Sequence, residues 1–192
     1  MSRQPQWALR PPEQLAPDQR AAFQRRREQL LAAARTVIAR LGPAFTMTDV
    51  AREARLGMSS VYRTFASKDD LLADLLDERL PVWLEIWARH EGRADAGQAL
   101  IDAMWEFAEL EHRDLGMAAA LRGLAFRQRE LVEQSARAGE RLLAQAQAAG
   151  ELRADLDYGD VLRIFLMLSE IADEHEWRRG LEIYIAGMRP PA

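Results

Sequence analysis

A chain of 192 residues, 48% of them hydrophobic, is long enough for one or two domains with a packed core, and this composition excludes a disordered chain. It has no Cys and three His, which excludes a disulfide framework, a thiolate nucleophile and a Cys-ligated metal and argues against a zinc enzyme, so no metal, cofactor or catalytic residue is expected. The net charge of −4 hides an asymmetry: residues 1–70 hold 12 Lys and Arg against 7 Asp and Glu, residues 71–192 hold 14 against 23, and only the first part suits a polyanion.

Apolar runs such as Ile164 to Leu168 fall far short of the ~20 residues of a membrane-spanning helix. Pro and Arg stand at the N-terminus where a signal peptide would be apolar, so the expectation is a soluble, cytoplasmic chain with no membrane partner. Pro5, Pro11, Pro12 and Pro17 make residues 1–18 a poor helix and predict a flexible arm, ending where Asp18 can cap a first helix over 19–41. Leu30, Ala34, Val37, Ile38 and Leu41 form its apolar stripe, and Gly42-Pro43 stops it. Thr46 and Asp49 form a capping box for a short second helix carrying Val50, Ala51 and Ala54. After the turn Ala54-Arg55-Leu56-Gly57, a third helix buries Val61 and Phe65 and leaves Ser59, Ser60, Arg63 and Thr64 on a polar side. Ser67 with Asp70 is a second capping box, starting a fourth helix through Leu71, Leu72, Leu75 and Leu76 that runs with a kink at Pro81 toward His90.

Helical patterns continue over about 95–113, 115–126, 128–149, 157–173 and 175–188, and no segment alternates with period two. The fold class is therefore all-α, with about nine helices. The stretch Val161 to Ile171 is apolar nearly all round, so it is either buried within one subunit or covered by a second copy of the last two helices in a four-helix interface. In the second case Leu162, Phe165, Leu166, Ser169, Trp177, Leu181, Tyr184 and Ile185 are the interface candidates of a homodimer.

Two short helices joined by a tight turn, with a third packed on them, make a helix-turn-helix over 46–65, whose second helix fits the major groove of double-stranded DNA. Short polar side chains at Ser59 and Ser60 can bond to bases or phosphates, and Arg63 can fork onto a guanine edge. Helix N-termini at Thr46, Gly57 and Ser67 offer backbone N–H groups to phosphates. Arg25-Arg26-Arg27 either follow the phosphate backbone or form a solvated face.

The segment Thr46-Met-Thr-Asp-Val-Ala-Arg-Glu-Ala-Arg-Leu-Gly-Met-Ser-Ser-Val-Tyr-Arg-Thr-Phe65, followed by Ala-Ser-Lys68-Asp-Asp-Leu-Leu72, resembles the N-terminal domain of TetR-family transcriptional regulators, closely over 30–75. More weakly, Ala149-Gly-Glu-Leu-Arg-Ala-Asp-Leu156 with Asp160 resembles the loop before that family's penultimate helix, and Trp177-Arg-Arg-Gly-Leu the start of its last. The resemblance implies a homodimer that binds a palindromic operator and releases it when a small-molecule effector enters the C-terminal domain. It divides the chain into the arm 1–18, a DNA-binding domain 19–70 and a ligand-binding and dimerisation domain 71–192. It assigns Thr46 and Tyr62 to phosphates, Lys68 to the DNA backbone, and Thr48, Met58, Ser59, Ser60 and Arg63 to the groove. Three positions depart from the family's pattern: Arg55 replaces the usual turn Gly, Met58 a residue more often polar, and Thr64 a His or Tyr, which puts one phosphate contact in doubt.

An aromatic and Met-rich set, Trp83, Trp87, Met104, Trp105, Phe107, Met117, Phe126, Phe165 and Met167, spreads over several helices and is either core or the lining of an effector cavity. His112, one heptad from Trp105, is a candidate polar contact in it. The expected ligand is apolar or amphipathic, and cationic if the acidic balance of the domain is used. Two other readings stay open: a helical enzyme using an apolar cavity, for which no catalytic motif can be named, and a ligand- or partner-binding dimer of the same fold without DNA binding.

Overall fold

The computed structural model describes residues 16–127 and 129–191, the side chains of 123–132 excepted. The expected arm falls, up to residue 15, outside the described residues. Among those described there are nine α-helices and no strand: α1 (Pro17–Leu41), α2 (Met47–Glu53), α3 (Met58–Thr64), α4 (Lys68–His90), α5 (Ala96–His112), α6 (Leu115–Arg127), α7 (Arg129–Ala148), α8 (Tyr158–Leu168) and α9 (Glu174–Met188). None is long and apolar enough to cross a membrane.

Helix α1 begins two residues earlier than the spacing predicts. Asp18 is not its cap: Ala16 precedes the helix, Pro17 opens it with a φ already suited to the first turn, and Asp18 lies in that turn, where its charge meets the helix dipole favourably. Gly42, at φ +54°, ends it. Helix α4 runs through Pro81, and Ser67 caps it by accepting the Asp70 N–H at 3.1 Å. Helix α8 ends at Leu168 rather than near 173. The Ser169 hydroxyl donates to the Leu166 carbonyl at 2.9 Å, a local alternative to continuing the ladder, and Asp173 then caps α9 by accepting the Glu176 N–H.

The buried side chains form two clusters. The first joins Leu30, Val37 and Ile38 of α1, Val50 of α2, Val61 and Phe65 around α3, Leu71 to Trp83 of α4, and Met117 and Leu121 of α6. The second joins Ile86 and Trp87 of α4 with Leu100 and Met104 of α5, Leu142 of α7, Val161 of α8 and Leu181 of α9. Helix α4 thus contributes to both. Ion pairs from Arg27 to Asp74 (2.6 Å) and from Arg35 to Glu78 also fasten it to α1. Helix α6 rests directly on α1: a Cβ at Gly116 would stand 2.6 Å from the Ile38 carbonyl oxygen, so only glycine allows this approach without a shift.

The turn between α2 and α3 is a Schellman motif. The Leu56 N–H reaches the Ala51 carbonyl at 2.9 Å and the Arg55 N–H the Arg52 carbonyl at 3.1 Å, with Arg55 in the left-handed region at φ +54°. Gln29 of α1 secures the turn by donating to the Ala54 carbonyl at 2.8 Å. The same pairing ends α7 around Gly150, at φ +71°. A side chain in this region costs roughly 1–2 kcal/mol, which Gly150 avoids and Arg55 does not.

Arg55→Gly relieves that strain against a partial loss from the more flexible unfolded chain, so urea unfolding should show a gain of up to about 1 kcal/mol with an unchanged m value. At α2 the capping box is complete: Thr46 Oγ1 accepts the Asp49 N–H at 3.2 Å, and Asp49 accepts from the Thr46 N–H at 3.0 Å. The hydrogen bond from the Thr46 hydroxyl, above all, holds the Asp49 carboxyl below its ordinary 3.8. A depressed carboxyl stabilises the fold above its unfolded value and loses that contribution as pH falls through the folded one. Thr46→Ala should therefore cost about 1 kcal/mol near neutral pH. The gap between the unaltered protein and Asp49→Asn, followed by urea unfolding from pH 7 to pH 3, should narrow below about pH 4.

Candidate functional site

The polar side of α3 and the N-terminus of α2 lie on the surface together, with Thr46, Thr48, Gly57, Ser59, Tyr62 and Arg63 exposed and Ser60 half-buried. Their backbone is set from behind: Val61 and Phe65 are buried in the first cluster, and Leu56 packs against it. Three expected DNA contacts are engaged within the chain. Met58 packs against the core, because its apolar side chain gains more there than in water. The Thr64 hydroxyl donates to the Ser60 carbonyl at 3.1 Å. The Lys68 ammonium donates to the carbonyls of Pro43 and Phe45 at 2.8 and 2.7 Å and sits 4.0 Å above the Phe45 ring, and its partial burial lowers its pKa. Lys68 therefore fastens the α1–α2 connection from the head of α4. Arg27 is drawn to Asp74, while Arg25 is exposed.

Of the aromatic set, Trp83, Trp87, Phe107 and Phe165 form one stack around Phe107, whose ring centroid lies 5.6, 6.0 and 5.0 Å from the other three. Met104 is buried in the same second cluster. Trp87 is fixed by its N–H, which donates to Ser135 Oγ at 2.8 Å, and Trp83 by donating to Glu111 at 3.2 Å. Met117, like Trp83, belongs to the first cluster, since α6 turns it toward α1. The Phe126 side chain lies outside the described residues. Met167 is 67% exposed rather than inside.

Trp105 and His112 form a second group with Trp177. The His112 ring stacks on Trp177 at 4.1 Å, and the Arg178 guanidinium lies 4.7 Å from the same indole. Both His112 nitrogens meet backbone carbonyls, Ala108 at 2.8 Å and Leu168 at 3.0 Å, so the ring joins α5 to the end of α8 and is not free to meet a ligand. The acidic side chains of α5 are likewise engaged: Asp102 with Arg93, Glu106 with Arg89 and His90, Glu109 with Arg178, and Glu111 with Arg79. None of the four carboxylates of α5 is thus left unpaired. An open pocket of about 290 Å³ lies elsewhere, lined by Gly97, Gln98, Ile101, Glu151, Leu152 and Arg189, none of which the sequence marks as a ligand contact. Among the described residues no group of three or more His, Asp or Glu could hold a metal ion.

The expected interface residues divide. Trp177, Leu181 and Ile185 are buried within the single chain, at 3, 0 and 8% exposure, because the inward side of α9 packs on the second cluster. Leu162 is exposed and Phe165, Leu166, Ser169 and Tyr184 are partly so, and the most exposed apolar side chains of these two helices, Met167 and Ile183 (59%), are ones that spacing missed. Gln29 and Gly116 were also without a signal, since what they meet is far away in sequence.

Residues 30–75 match the family described as bacterial regulatory proteins, tetR family, and residues 95–190 the family described as transcriptional regulator SbtR-like, C-terminal domain. No curated protein matches the chain. The TetR transcription regulatory protein from Mycobacterium vanbaalenii is 25% identical, over 90% of this chain and 99% of that one, with a TM-score of 0.55. The ketosteroid transcriptional regulator KstR2 of Mycobacterium tuberculosis is 21% identical over 86% and 96%, with a TM-score of 0.66. FadR from Bacillus subtilis, solved in complex with stearoyl-CoA, is 17% identical over 84% and 99%, with a TM-score of 0.65. The two family matches, one at each end of the chain, join the helix-turn-helix to the helical domain behind it, and the protein belongs to the TetR family of transcriptional regulators.

Proposed function

We propose that this regulator is a homodimeric repressor that binds a palindromic operator through α3 and releases it when an apolar or amphipathic small molecule enters the helical domain. The observation that carries the reading is the exposed polar side of α3, with Ser59, Tyr62 and Arg63 beside the capped N-terminus of α2. Backbone N–H groups at that N-terminus suit phosphates, and Arg63 suits a base edge, so register and sequence preference come from different residues. The N-terminal excess of basic residues supports the same partner.

The dimer contact in this reading is the apolar face of α8 and α9 built from Leu162, Leu166, Met167, Ile183 and Tyr184. Twofold symmetry spaces two α3 helices for successive major grooves, about 34–36 Å apart. Effector entry between the rings of Trp83, Trp87, Phe107 and Phe165 would have to separate α4, α5 and α8, and α4 carries the change to the DNA-binding domain, taken as 19–70 against 71–192. A ligand acts only through its preference for the non-binding arrangement. The site offers a mainly aromatic contact surface, with the Trp87–Ser135 hydrogen bond and the Trp83–Glu111 hydrogen bond as polar features beside it.

Selection of bound fragments from random duplex DNA at moderate salt, with the purified protein alone, should return a palindromic consensus, and affinity for it should fall steeply as salt rises. Arg63→Ala should cost about 1–3 kcal/mol on that site. Enrichment of no sequence would sink the DNA-binding reading. For the dimer, Met167→Glu or Ile183→Glu should yield a folded monomer in sedimentation, and an unaltered dimer would move the interface elsewhere.

A further inference from the structure

The Arg63 guanidinium is turned back along its own helix. Its Nε–H donates to the Ser59 carbonyl at 3.1 Å, and Nη2 lies 3.4 Å from the Ser59 hydroxyl. Elsewhere in the same domain basic side chains are drawn to carboxylates, Arg27 to Asp74, Arg35 to Glu78 and Arg52 to Asp49. Among the described residues no carboxylate pairs with Arg63, which is exposed together with Ser59. Residues four apart on a helix share one side, so the two form a unit on the surface of α3.

A guanidinium has five N–H donors in a fixed planar fork. Facing Ser59 with the Nε–Nη2 edge leaves the Nη1–Nη2 edge to meet other acceptors, since Nη1 makes no hydrogen bond among the described residues. Two parallel donors on that edge match the O6 and N7 acceptors that guanine presents in the major groove. We infer that Ser59 is a positioning residue for Arg63: it holds the guanidinium so that its outer edge meets a guanine, and it shapes base preference without itself touching a base. This rests on the DNA-binding reading above.

The test is fragment selection followed by affinities for the consensus and for its three base replacements at each position, using the unaltered protein, Ser59→Ala, Ser59→Thr, Arg63→Gln and Ser59→Ala with Arg63→Gln. Arg63→Gln should lower the preference for guanine at one position of each half-site by at least about fivefold, the low end for a bidentate pair. Ser59→Ala should lower it at the same position by about two- to fivefold, one exposed hydrogen bond to a charged group, with the salt slope unchanged. Ser59→Thr keeps the hydroxyl and should restore the preference. Adding Ser59→Ala to Arg63→Gln should change nothing further, a coupling that a general loosening of α3 would not produce. The inference is overturned if Ser59→Ala alters a different position, if its effect persists beside Arg63→Gln, or if it has no effect. Failure of the unaltered protein to enrich any sequence overturns the DNA-binding reading and this inference with it.

Discussion

The approach of α6 to α1 at Gly116 is the contact on which the arrangement of the two halves depends. Without a side chain there, the first turn of α6 lies against the Ile38 carbonyl and brings Met117 and Leu121 into the core that also holds α2 and α3. Asp114 starts α6 by accepting the Met117 N–H at 3.1 Å. One turn earlier, Glu111 receives both Arg79 and Trp83 of α4. Side chains this close-packed do not yield gradually, so a shift at the end of α5 has to be taken up by α4 and α6 together.

Charge in this protein is distributed by geometry more than by composition. The four carboxylates of α5, in the acidic second part, are each paired in place, by Arg79, Arg89, Arg93 and Arg178. Similarly, part of the basic excess of the first part fastens α1 to α4 through Arg27 and Arg35. What remains toward solvent is smaller than the count and includes Arg63 on α3, with which no carboxylate pairs among the described residues.

Local signals in the sequence translated well. Thr46 and Asp49 make the box their spacing predicts, the Gly42-Pro43 stop ends α1, and Val61 and Phe65 go inward. The departure at Arg55 was legible too, since a side chain in place of the turn glycine implies strained backbone, and its φ is positive. Less legible was anything decided by a distant partner. Periodicity gives α9 one broad apolar stripe but not which edge of it the same chain covers, so it cannot separate the buried Trp177 and Ile185 from the exposed Ile183. The end of α8 depended on a serine hydroxyl, and the roles of His112 and Lys68 on carbonyl oxygens that no side-chain pattern reveals.

Helix α4 is the element shared by both cores, and Pro81 stands shortly before the changeover, which falls between Trp83 of the first cluster and Ile86 of the second. A proline has no N–H, so the rung that would tie residue 81 to the carbonyl of Asp77 is missing. Flexing α4 at that level stretches one hydrogen bond fewer than anywhere else along it. The helix is consequently stiff along its axis and more compliant in bending at that level than in its fully bonded turns.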